Sequence, residues 1–216
     1  MIRTAILFLI LAGLSFGDTL TLNTTPLETS GTGPFTIDFQ FDSGDMAVSN
    51  TVTLSDFMFG GGSLNTTPSS QSGDITLGTS PFSVTLGNSS FYNDVQFSFT
   101  PGTSLSFDVA STSNAEPTTP DTFTFAIFDG STNEIPTDNP NFFDSFFELD
   151  LPGGGSPMDT ILSASSGYSV SIAAPTYTSG TSGGGGGMIA TPEPSTLTLL
   201  GLAGAVILGL RRKRHA

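Results

Sequence analysis

Glu148 and Asp150 stand two residues apart in the segment Phe147-Glu-Leu-Asp-Leu151, a spacing that puts both carboxyl groups on one face of an extended strand. Paired carboxylates are the one catalytic constellation this chain can still assemble, since glycosidases use two of them as acid and base or nucleophile. The other common arrangements each lack a member. Between Thr4 and Leu210 there is no lysine, arginine or histidine, and the whole chain has no cysteine. A hydroxyl nucleophile therefore has no imidazole or amine base, and a thiol nucleophile does not exist. A phosphate loop ending in Gly-Lys is excluded for the same reason. A zinc centre would have carboxylates alone, an unsuitable ligand set. Four glutamates precede residue 190, namely Glu28, Glu116, Glu134 and Glu148. Because Glu148 and Asp150 alternate with Phe147 and Leu149, they read as solvent-facing strand positions rather than as a catalytic pair. With no tryptophan to serve as a sugar platform, the expectation is a protein that is not an enzyme and has no catalytic residue.

Binding chemistry has more material. The turns Asp42-Ser-Gly-Asp45, Asp129-Gly-Ser-Thr-Asn-Glu134 and Asp138-Asn-Pro-Asn141 are rich in oxygen atoms of the type that ligate Ca2+. None follows the D-x-[DN]-x-[DN]-G calcium loop, and Asp, Asn and Gly are also ordinary turn residues. No cofactor or metal site is assigned on this basis, and Ca2+ is the one ion whose ligand chemistry the turns match. Tyr92, Tyr168 and Tyr177 are the only tyrosines, and Tyr168 alternates with core-type positions, which weakens the case for a sugar-binding module. Asn23, Asn65 and Asn88 each begin an N-x-[ST] triplet, a pattern that a chain so rich in Ser and Thr produces by chance.

The charge is distributed unevenly. The formal net charge is -14, and the five basic residues are Arg3, Arg211, Arg212, Lys213 and Arg214. A polyanionic body with basic tips repels phosphate, so nucleic acid is excluded as a partner. Its carboxylates have no Lys or Arg to pair with and must be solvated, hydrogen-bonded or screened.

The N-terminus carries Arg3, an apolar run over residues 5–14 and then Ser15-Phe16-Gly17, the pattern of a secretory signal cleaved between Gly17 and Asp18. Beyond it the apolar period is two. Residues 35–42, 95–99, 105–109, 123–127, 147–151 and 168–172 alternate large apolar with polar side chains. Weaker strands are predicted at 19–22, 51–59, 74–77 and 82–86. About ten short strands with Gly, Pro, Asn and Ser between them, and almost no helical period, predict an all-β antiparallel β-sandwich, in a jelly-roll-like variant or otherwise. Nineteen phenylalanines are enough for a core without disulfides. After Ala174 the apolar period stops, and the stretch to residue 190 reads as a Gly/Ser-rich linker.

The C-terminal segment is Thr191-Pro-Glu-Pro-Ser-Thr, then Leu197-Thr-Leu-Leu-Gly-Leu-Ala-Gly-Ala-Val-Ile-Leu-Gly-Leu210, then Arg211-Arg-Lys-Arg214. Counted from Ser195 to Leu210, a helix reaches roughly 24 Å at about 1.5 Å per residue, against about 30 Å of bilayer core. That is short for a permanent span, and a run apolar on every face is a poor core helix. Basic residues after the span stay cytoplasmic, which leaves the body outside. The order of Pro192-Glu193-Pro194, short apolar helix and basic cluster resembles the PEP-CTERM sorting signal of Gram-negative bacteria. The stretches over residues 97–108, 121–129 and 135–140 are similar to an uncharacterised ectodomain type of PEP-CTERM proteins.

The resemblance implies recognition by an exosortase at Pro192, Glu193 and Pro194, with Arg211, Arg212, Lys213 and Arg214 as a basic stop-transfer tail. The expected organisation is a signal peptide at 1–17, a sandwich ectodomain at 18–174, the linker at 175–190 and the sorting signal at 191–216. The expected partners are signal peptidase and the secretion machinery, the exosortase, the membrane through the C-terminal helix before processing, and exopolysaccharide. Such a protein crosses the inner membrane, is held there transiently, and ends at the cell surface or in the extracellular matrix. The expected role is structural or adhesive. The alternatives are a polysaccharide- or calcium-binding sandwich module and, more distantly, a carboxylate-dependent glycoside hydrolase.

Overall fold

A strand with alternating apolar residues has one face that must leave water, and two such faces can cover each other. The computed structural model describes residues 18–46, 49–112, 114, 119–138, 144–152, 158–161, 164 and 172–178. Over these residues the alternation resolves into antiparallel sheets forming a sandwich. The chain divides into two units, Met1–Ser182 and Gly183–Ala216, and every described residue lies in the first.

In chain order the elements are β1 (Asp18–Asn23), α1 (Thr25–Ser30), β2 (Phe35–Asp42), β3 (Thr51–Met58), β4 (Ser63–Leu64), β5 (Ser70–Ser72) and β6 (Ile75–Thr79). They continue with β7 (Phe82–Gly87), β8 (Tyr92–Thr100), β9 (Ser104–Ser111), β10 (Asp121–Phe128), β11 (Ser145–Leu151), β12 (Met158–Ile161) and β13 (Thr176–Thr178). The first sheet has the order β13-β1-β9-β3-β7-β6. The second runs β12-β11-β10-β2-β8-β4, and β5 also pairs with β8.

The core between the sheets is aromatic at its centre. Phe107 of β9 meets Phe39 of β2 edge to face at 5.3 Å between ring centroids, and Phe125 of β10 at 5.3 Å. Phe39 and Phe125 stack at 5.5 Å. Since β9 belongs to the first sheet and β2 and β10 to the second, these three rings join the two layers. Aromatic pairs in such geometries add roughly 0.5–1.5 kcal/mol each beyond the area they bury. Leu20, Leu22, Val52, Leu54, Val84 and Leu86 complete the first sheet's inner face.

Three expectations need correction. Residues 25–30 form a helical turn that the period-two reading passes over. Pro26 supplies a fixed φ in the first turn, Gly31 closes the helix in the left-handed region at φ 68°, and Leu27 is buried beneath it. Residues 176–178, assigned from composition to the linker, form β13 instead. Their edge pairs with β1, and Tyr177 donates a hydrogen bond from its hydroxyl to Asp18 Oδ2 at 2.7 Å. The third correction is the exposure of the polar positions. On the second sheet the residues alternating with the core are not in open water: Asp38 is 6 % exposed, Asp94 5 % and Glu148 9 %.

Two local irregularities shape that sheet. A register shift between Phe125 and Ala126 inserts an extra residue in β11, so Phe146 and Phe147 are both buried where strict alternation would expose one. After β10 the chain doubles back through the turn at 129–133, which sets Glu134 opposite Phe128 and sends the Ile135 N–H to the Ile127 carbonyl at 2.8 Å. Among the described residues no helix is long and apolar enough to cross a membrane. The expected signal segment 1–17, the strand over 168–171 and the C-terminal apolar run lie outside the described residues.

Candidate functional site

Strand register builds the outer face of the second sheet as a grid. Asp150, Thr122, Asp42 and Tyr92 stand opposite one another across β11, β10, β2 and β8. The next row is Thr160, Glu148, Thr124, Gln40, Asp94 and Ser72, from β12 across to β5. A third row holds Ala126, Asp38, Gln96 and Ser70. Carboxylates, amides and hydroxyls therefore share one surface, with strands about 4.8 Å apart.

A cleft of 360 Å³ opens over the first two rows, floored by Gln40, Asp42, Thr122, Thr124 and Glu148. Ser43, Gly44, Phe91, Thr119 and Pro120 form its walls. Phe91 is 62 % exposed, so its ring faces water rather than the core. The walls are held by backbone contacts. The Ser43 N–H donates to the Phe91 carbonyl at 2.9 Å. Gly44 passes so close to the carbonyls of Thr119 and Pro120 that a Cβ there would collide with both.

Asp121, fully buried at the start of β10, anchors this end of the molecule. Its Oδ1 accepts the Gly44 N–H at 2.8 Å, and its Oδ2 accepts Nδ2 of Asn50 at 3.0 Å and Nδ2 of Asn88 at 3.1 Å. One carboxylate thus links the cleft wall to segments flanking β3 and β7 of the opposite sheet. Neutral donors replace the cations that the body does not have.

Beside the cleft on the same face, Asp38 and Asp94 lie on neighbouring strands with no Lys or Arg in the body to neutralise them. They occupy diagonal positions across β2 and β8, so the effect of burial on Asp38 is felt beside the Asp94 carboxyl. The Oδ1 atoms of Asp38, Asp94 and Asp42 are buried with no hydrogen-bond partner among the described residues. Burial first, and then the Asp94 carboxyl, push the Asp38 pKa well above its ordinary 3.8. Burial also raises Asp42, an effect that the Gln40 amide opposes by donating to Oδ2 at 2.8 Å. Glu134 is raised by burial and by the charge of Asp144. Tyr92 is pushed up to about 12 by burial and then by the nearby carboxylates, Asp94 first.

The sequence-derived candidates are distributed unequally over this surface. Glu148 is on the cleft floor rather than in open solvent, while Asp150 stays outside the lining and accepts the Thr122 hydroxyl at 2.8 Å. Of the oxygen-rich turns, the one beginning at Asp42 supplies the cleft. The Asp129 turn is internally satisfied, with Asp129 Oδ1 accepting the N–H groups of Ser131 at 2.8 Å and Asn133 at 3.1 Å. Of the third turn only Asp138 is described. Among the described residues no group of three or more carboxylate, imidazole or thiol side chains is arranged to hold a metal ion. The triplet asparagines have local duties: Asn23 and Asn65 each accept an N–H two residues on, at 3.1 Å, and Asn88 binds Asp121. Gln40, Phe91, Thr122 and Thr124 were not legible as site residues, because the cleft depends on which strands become neighbours.

Asp18 opens β1 as the acceptor for Tyr177. Gly17, Pro192, Glu193, Pro194, Arg211, Arg212, Lys213 and Arg214 lie outside the described residues, and what speaks for the C-terminal ones is sequence similarity. Residues 190–214 match the PEP-CTERM protein-sorting motif. A PEP-CTERM motif is recognised by an exosortase, and it implies an exported protein that is held at the membrane during sorting. No curated protein and no solved structure is significantly similar to the chain.

Proposed function

We propose that this PEP-CTERM protein is a non-enzymatic structural or adhesive component of the cell surface or extracellular matrix, delivered there after exosortase processing. The observation that carries the reading is the match over residues 190–214, with its Pro-Glu-Pro, apolar run and basic cluster in order. The body supports it by composition. It offers extensive strand surface and a polyanionic character that keeps copies apart in solution, and it has no His, Lys or Cys to act as base or nucleophile.

Mass spectrometry of the protein recovered from its native host tests the processing. The expected C-terminus lies near Pro192–Pro194, with the apolar tail missing. Intact tail peptides in every cell fraction would overturn the sorting reading in favour of a stable anchor. Incubation with neutral glycans tests the non-enzymatic part, with no release of reducing ends expected. Release that disappears in Glu148→Gln would instead assign a carboxylate-dependent hydrolase.

A further inference from the structure

The cleft on the second sheet combines three properties that together select one kind of ligand. Its floor is hydroxyl, amide and carboxyl in Thr122, Thr124, Gln40, Asp42 and Glu148. Hydroxyl, amide and carboxyl are the group types that exchange hydrogen bonds with neutral hydroxyls. Its wall includes the 62 % exposed ring of Phe91, a flat apolar surface against which a ring of C–H groups can lie. Its third property is electrostatic. No lysine, arginine or histidine occurs between Thr4 and Leu210, so no cation in the body can meet a phosphate, sulfate or uronate.

A ligand that is apolar on one face, lined with hydroxyls at its edges and uncharged is a sugar ring. A volume of 360 Å³ lies near the lower end of the roughly 300–1,000 Å³ of small-molecule sites, room for about one or two such rings. The geometry points to this cleft as a binding site for a neutral polysaccharide, held with Phe91 against the face of one sugar and the floor around Gln40 and Thr124 beneath its hydroxyls.

A cationic partner is the competing occupant, given the carboxylates on this face. Two of them already have neutral internal donors: Asp42 takes the Gln40 amide and Asp150 the Thr122 hydroxyl, both at 2.8 Å. Both are thereby engaged within the protein and less available to a point charge. The inference deepens the adhesive reading above and rests on the protein being at the surface. The walls are held firmly enough to be specific, since Asp121 and the close approach at Gly44 fix the segment whose Ser43 N–H bonds the Phe91 carbonyl.

The test is isothermal titration calorimetry on the full chain, purified in a detergent without a sugar headgroup. The titrants are three soluble neutral polysaccharides (dextran, galactomannan and hydroxyethylcellulose), with alginate and polylysine as charged comparators. At least one neutral glycan is expected to bind, to the same extent at low and high salt, and alginate is not. Phe91→Ala should weaken that binding about tenfold, equivalent to about 1.4 kcal/mol. Gln40→Ala should weaken it further, while Met58→Ala, on the first sheet and 65 % exposed, should leave it unchanged.

No binding to any of the three neutral glycans would overturn the inference, as would wild-type binding by Phe91→Ala with its melting temperature intact. Salt-sensitive binding of polylysine in preference to the glycans would overturn it in favour of a cationic partner. Because binding is measured on purified protein, its failure leaves exosortase processing standing. An intact tail in the host would likewise leave glycan binding standing.

Discussion

Replacing Asp121 with alanine removes the acceptor for three donors in one step: the Gly44 N–H and the side-chain amides of Asn50 and Asn88, at 2.8 to 3.1 Å. The residue is fully buried, so water does not readily take over. Each hydrogen bond to a charged acceptor contributes about 1.5–3 kcal/mol in favourable cases, and the three share one oxygen pair. A conservative loss of about 1 kcal/mol per donor gives about 3 kcal/mol. For a domain of this size that corresponds to a fall in melting temperature of about 6–12 °C. Asp121→Asn separates the contributions. Its carbonyl oxygen can keep the two asparagine amides, but its own NH2 then faces the Gly44 N–H, so an intermediate loss is expected. Differential scanning calorimetry at neutral pH reads both variants. A melting temperature for Asp121→Ala within about 2 °C of the parent would refute the reasoning, because it would mean that water or relaxation satisfies all three donors. The same variant should weaken glycan binding, since it frees the Ser43-Gly44 wall that is bonded to the Phe91 backbone.

Asp38 predicts an inverted pH profile. Its pKa is raised by burial and by Asp94, with Asp42 and Glu134 shifted in the same direction, so the folded chain binds protons that the unfolded chain releases. Stability should then be full below the ordinary carboxylate value of 3.8 and fall as pH climbs through neutrality. Asp38→Asn should flatten that slope and raise the melting temperature at pH 8 by a few degrees, and an unchanged slope in thermal melts would count against a buried, raised Asp38. Gly44→Ala should cost about 1–3 kcal/mol through collision with the carbonyls of Thr119 and Pro120. Urea titration measures it, with the midpoint falling at unchanged slope.

Period-two patterning located the long strands well because burial on one face is a local property of the sequence. The alternating residues 35–42 coincide with β2, and the weaker strand predicted at 51–59 from its Thr and Phe content corresponds to β3. β4 and β5 have no such signal: Ser63–Leu64 and Ser70–Ser72 are short edge segments whose partner, β8, supplies the reason for their extension. The burial of Asp38 and Asp94 was hidden for a related reason. Alternation predicts which face a residue occupies, and only the neighbours on that face decide whether water reaches it. Glu148 shows how far the sequence can lead. Its chemistry was identifiable at once, but its place on a cleft floor beside Gln40 follows from β10 lying between β11 and β2. The sorting segment is the opposite case, since its meaning lies in linear order and needs no fold to be read.

The position of β1 has a consequence for how the protein is exported. The first described strand lies inside its sheet, between β9 and β13, and the hydrogen bond from Tyr177 to Asp18 spans 159 residues. A chain that emerges from a translocation channel N-terminus first therefore exposes β1 long before either neighbour exists to pair with it. The sheet closes on that side only when residues 176–178 have come through, shortly before the sorting segment at 190–214 follows. The edge of β1 that faces β13 is therefore the last part of this sheet to be covered when the chain emerges in that order.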